Sequence, residues 1–103
     1  MTRRRLPNRR KSIFLDFESM GMQFVASVSH YDDGGVGELF LDNHKQGSAV
    51  GTLVRDLAIV FSFAVQHGAD INSIRSALCR DGEGRPLGPL AVVLDLLAED
   101  SAP

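Results

Sequence analysis

The chain is expected to fold as one small α+β domain, and three observations carry that expectation. Its first half alternates apolar and polar residues with a period of two. Its second half repeats apolar residues at helical spacing. Between two of the alternating stretches, Asp32-Asp33-Gly34-Gly35 marks a hairpin, because glycine reaches positive φ without steric cost. A length of 103 residues leaves room for one core.

Ser12 to Glu18 alternates, with Ile13, Leu15 and Phe17 on one side, and predicts a strand over 12–18. Ser19-Met20-Gly21 turns the chain. Met22, Phe24, Ala26 and Val28 then share a face of a strand over 22–29. After the hairpin, 36–41 reads as the third strand of an antiparallel meander. Ser48 is placed to cap a helix over 49–66, about 27 Å long at 1.5 Å per residue. Val50, Leu53, Val54, Leu57 and Phe61 set its stripe. Ile59, Val60 and Phe63 widen that stripe until the second half is apolar nearly all round, which predicts a central, buried helix. Gly68 suits its stop. Asp70 can cap a short helix over 71–78, and Pro89 opens a last one over 89–98. Residues 99–103 are expected to fray.

Charge is unevenly placed. Residues 1–11 hold Arg3, Arg4, Arg5, Arg9, Arg10 and Lys11 and no acid, whereas the rest holds five basic and 13 acidic residues, a net of −8. A flexible basic arm preceding an acidic domain over 12–98 is the expectation. Such an arm either tethers nucleic acid or rests loosely on its own acidic body. The single cysteine, Cys79, rules out an internal disulfide and fits a reducing compartment. The basic start is not followed by an apolar signal segment. The most apolar window, Leu57 to Val65, is about half of what spans a bilayer. A cytoplasmic protein with no membrane partner is expected.

Among candidate sites, Lys45-Gln46-Gly47-Ser48 stands first. A helix N-terminus offers unpaired N–H groups and partial positive charge, Gly47 permits close backbone approach, Ser48 adds a hydroxyl and Lys45 a cation. The same residues also read as a turn, a cap and a solvated lysine. Arg80, beside the glycine-rich loop 81–84, is a further anion-binding candidate. Glu38, Arg55 and Asp56 are candidates for a buried ion pair or a subunit interface, with Glu38 reaching Arg55 or Lys45. His67 suits the end of its helix, where a cation is favourable. No catalytic residue, metal site or cofactor is expected. The three histidines lack ligand spacing, and no nucleophile–base or carboxylate pair emerges.

Three segments in fixed order carry a resemblance: Gly37 to Ser48, Arg55 to Gly68, and Ala77 to Asp81 with Gly88-Pro89-Leu90 and Leu94-Asp95. Together, over roughly residues 9–97, they resemble the TSCPD domain. That family is found at the C-terminal end of class II, adenosylcobalamin-dependent ribonucleotide reductases and as short bacterial proteins. The Thr-Ser-Cys-Pro-Asp string that names it is absent, as is the C-terminal cysteine pair of many members. The resemblance implies a relation to deoxyribonucleotide synthesis. Reduction in that family needs a radical cysteine, a reducing cysteine pair and a cobalamin-binding barrel. One cysteine in 103 residues is not expected to make a complete enzyme of that kind. The expected role is a non-catalytic accessory or regulatory module that binds a nucleotide or another anion, or partners a reductase. The alternatives are a nucleic-acid-associated protein using the basic arm, and a homo-oligomeric structural module, a dimer first. The oligomer follows from a helix more apolar than three strands can cover.

Overall fold

Alternation in the first half produces three strands, β1 (Ser12–Ser19), β2 (Met22–His30) and β3 (Val36–Asn43), paired antiparallel in the order β1-β2-β3. The computed structural model describes residues 2–45 and 47–101. Met20 and Gly21 both take positive φ, as a two-residue hairpin turn of the primed type demands. At the other hairpin the register shifts between Ser29 and His30, so that Gly37 is bulged out of the ladder. In-facing residues from neighbouring strands stand opposite one another: Phe17 with Phe24, Leu15 with Ala26, and Val28 with Leu39. The Phe17 and Phe24 rings stack at 5.7 Å between centroids.

Three helices follow: α1 (Ala49–Gln66), α2 (Ile71–Ala77) and α3 (Pro89–Ser101). Ser48 and Asp70 cap α1 and α2 by accepting from the Gly51 and Ser73 N–H groups. At the end of α1 the Gly68 N–H donates to Val65 O and the Ala69 N–H to Ala64 O, the paired bonds of a Schellman stop, with Gly68 at φ +98°. Helix α3 continues past the expected end at 98 to Ser101. Residues 102–103, the rest of the expected frayed tail, lie outside the described residues. Val54, Ala58 and Phe61 of α1 and Leu90, Val93 and Leu94 of α3 close the core over one face of the sheet.

The position of α1 corrects one expectation. The helix is buried on one face only; Leu53 is 68% and Val60 67% exposed, and Leu57, Ile59 and Phe63 also reach solvent. It runs back along β3, the outer strand of the sheet, and covers that edge. Ser62 Oγ accepts from the Leu39 N–H at 2.8 Å and donates within α1 to Ala58 O at 2.8 Å; Leu39 O lies 3.1 Å away. Gln66 Nε2 donates to Gly37 O at 2.7 Å. An open strand edge is a row of unpaired polar groups, and two buried polar side chains one turn apart satisfy this one. By length and composition α1 would also cross a membrane. Here two of its polar residues, Ser62 and Gln66, are spent on a strand edge.

Candidate functional site

The corner between β3 and α1 is built by Asn43, Ser48 and Gly51. Asn43 ends β3 facing inward, and its Nδ2 donates to Ser48 Oγ at 3.1 Å. Ser48 Oγ accepts the Gly51 N–H at 2.9 Å. A Cβ on Gly51 would lie 2.9 Å from Asn43 Oδ1 and 3.0 Å from Ser48 Oγ, so a larger residue there would push the Asn43–Ser48 pair aside. Gly47 turns the chain at φ +73°. A cavity of about 300 Å³ opens at this corner, lined among others by Met22, Gln23, His44, Lys45, Ser48 and Val50.

The Ser48 hydroxyl is committed to the cap and to Asn43, so it is not a free ligand group. What the corner offers instead is the first-turn N–H groups of Ala49 and Val50, which a helix leaves without intrahelical partners, together with Lys45 and His44. Lys45 makes no ion pair among the described residues. Gln46 lies outside the described residues. The chemistry available is anion capture by backbone donors and two basic side chains.

The remaining candidates lie elsewhere. Arg80 is not at this corner. Its guanidinium grips Asp95 with two bonds, 2.8 and 2.9 Å, and Arg75 Nε joins at 2.7 Å. Hydrogen bonds from Arg80 and then Arg75 hold the Asp95 carboxyl well below the usual carboxylate range, and the same pair pushes Arg80 up. Asp81 closes the glycine-rich loop on itself, accepting from the Glu83 and Arg85 N–H groups, so that loop is internally paired.

Glu38, expected opposite Arg55 or Lys45, pairs with Arg10 at 3.1 Å instead. Arg55 pairs with Asp42 at 2.7 Å, and the pair is exposed, not buried (44% and 48%). The direction of α1 explains both. Its N-terminal turns lie beside the end of β3, where Asp42 sits, and its last turns lie beside Gly37 and Leu39, near Glu38. Asp56 points to solvent on the exposed side of α1.

The basic segment lies against the body. The Arg4 N–H donates to Gln66 O at 2.7 Å, Tyr31 Oη donates to Arg4 O at 2.7 Å, and the Arg4 guanidinium stacks over the Tyr31 ring and pairs with Asp33. Arg3 Nε bonds Gln66 Oε1 while its guanidinium covers Phe63. Arg5, Arg9 and Lys11 make no ion pair among the described residues. His67 Nδ1 lies 2.8 Å from Phe63 O, a local contact at the helix end. Cys79 is exposed, and the described residues hold no group of ligands fit for a metal.

Sequence reasoning missed Asn43, His44, Ser62 and Gln66. Ser62 and Gln66 carried a signal: two polar residues four apart on the inner face of an otherwise apolar helix. Asn43 and His44 adjoin Lys45, but no spacing or motif marked them as lining a cavity.

The chain is 33% identical over 70 residues to the vitamin B12-dependent ribonucleotide reductase of Bradyrhizobium diazoefficiens, which covers 68% of the chain and 6% of that protein. It is 32% identical over 69 residues to the enzyme of Agrobacterium fabrum (67% of the chain, 5% of that protein). Against that of Rhodopirellula baltica it is 33% identical over 72 residues (70% and 7%). The chain is related to a segment of the vitamin B12-dependent ribonucleotide reductases. It spans only a small part of those reductases' length. No protein-family model matches the chain, and no solved structure matches it.

Proposed function

We propose that this reductase-related chain is a TSCPD-like domain that acts as a non-catalytic accessory or regulatory module, holding the phosphate of a nucleotide at the N-terminus of α1. The observation that carries this reading is the cavity of about 300 Å³ between Met22 and Val50, lined by His44, Lys45 and the first residues, Ala49 and Val50, of an 18-residue helix. Relation to a reductase segment supports nucleotides as the anion class. Ribonucleotide reduction itself calls for several cysteines, and this sequence has one, exposed and away from the corner. Calorimetric titration with ribonucleotides and deoxyribonucleotides tests the proposal. Binding is expected, weakened about tenfold by Lys45→Ala, the loss of one charge-assisted contact. No heat with any nucleotide, or equal affinity in the variant, contradicts it.

A second reading, a homodimer, is favoured by the exposed side of α1. Leu53, Leu57 and Val60 recur there at spacings of four and three, the pattern of a helix–helix seam. The nucleic-acid reading gains less. Arg4 ties the segment to Gln66 O and Asp33, whereas that reading needs a free arm.

A further inference from the structure

At the opposite end of α1 the basic segment builds a cavity of its own. Arg4 stacks on Tyr31, and the Leu6 side chain fills the space above Gly37, where a Cβ would come within 2.6 Å of it. Arg3, Arg5 and Arg10 line the cavity, and Leu6 and Asn8 complete the wall that the segment supplies. The three arginines line a polar opening of about 290 Å³, and the acidic residue that shares it is Glu38. Arg10 spends its Nη2 on Glu38 and its Nη1 on Pro7 O, Arg3 spends its Nε on the neutral amide of Gln66, and Arg5 has no partner among the described residues.

Three cations against one anion leave the site short of negative charge. Guanidinium groups are matched to phosphate by their forked donors. Beside this opening, and sharing Arg3, Glu38 and Gln66 with it, lies a shallow hollow of about 80 Å³ floored by Phe40, Ile59 and Phe63. Phe40 stands two residues from Glu38 on the same face of β3 and is 54% exposed. An exposed ring next to a cationic cluster is a platform for a flat aromatic group attached to a phosphate.

We propose that Arg3, Arg5 and Arg10 form a second anion site that takes a nucleoside phosphate, its phosphate among the guanidiniums and its base on Phe40. The site is separate from the Lys45 corner and does not depend on it. Calorimetry with the full chain tests it, using AMP, ribose 5-phosphate and inorganic phosphate as probes. Arg5→Ala is the chosen variant because it removes no bond of the fold; Phe40→Ala removes the platform. Expected are AMP binding in the Lys45→Ala background, about tenfold weaker binding with Arg5→Ala, and AMP binding tighter than ribose 5-phosphate by a margin that Phe40→Ala abolishes. A single-stranded oligonucleotide compared with AMP tells a strand phosphate from a free nucleotide as the source of this chemistry. Absence of AMP binding in the Lys45→Ala background, or affinity there unchanged by Arg5→Ala, overturns the proposal.

Discussion

Ser62 shows how much one side chain can decide. Its hydroxyl serves the free edge of β3 at Leu39 and sits on the inner face of a helix that otherwise packs apolar groups. Removing the oxygen leaves the Leu39 N–H buried without a partner. Ser62→Ala is therefore expected to destabilise the fold by about 1–3 kcal/mol, measured by urea unfolding, although alanine is the better helix former. Asp95 is the electrostatic counterpart. It accepts from Arg80 and Arg75 and so fastens the loop after α2, and α2 itself, to α3. Its pKa is lowered in the fold, so its contribution is present in full above the unfolded value near about 4 and is lost as pH falls below that. Thermal unfolding between neutral and acid pH should show Asp95→Asn less stable than the parent at neutrality. The gap should narrow as pH drops below about 4. An unchanged gap across that range contradicts the assignment.

At the scale of elements, most of the fold was legible from residue spacing. The period of two placed all three strands to within two residues of their observed ends, and Ser48, Asp70, Gly68 and Pro89 marked helix ends where they lie. These signals are local, as are the hairpin and capping bonds they specify. The sidedness of α1 was not legible. A helix with apolar residues all round reads as buried, but a three-stranded sheet with one further covering helix can close only one of its faces. The candidate site was partly legible for the same reason. Lys45 and Ser48 are neighbours in sequence, whereas Met22 and Gln23 join them only through the sheet. The β1–β2 turn offers a local check. Met20 sits at φ +56°, in a position where asparagine is tolerated far better. Met20→Asn is expected to raise stability by about 0.5–1 kcal/mol, seen as a higher unfolding midpoint in denaturant.

For the whole molecule, the charge asymmetry and the exposed apolar side of α1 are the features that local rules do not absorb. The asymmetry is partly internal: the basic segment closes on acids of the body through Arg4–Asp33 and Arg10–Glu38. On the apolar side Leu53, Leu57 and Val60 remain exposed among the described residues. If a second copy covers it, light scattering should report a dimer at micromolar concentration and Leu57→Lys should return a monomer with unchanged circular dichroism. A parent chain that is monomeric throughout contradicts the dimer.

The central claim is that the corner between β3 and α1 captures a nucleotide phosphate. An amide-resolved NMR titration with deoxyribonucleotide tests it most directly, because it reports where the anion sits as well as whether it binds. Saturable shifts are expected at the Ala49, Val50 and Lys45 amides, with the Ala49 and Val50 shifts saturating at about tenfold higher ligand concentration in Lys45→Ala. A titration that leaves those amides unmoved would contradict the claim.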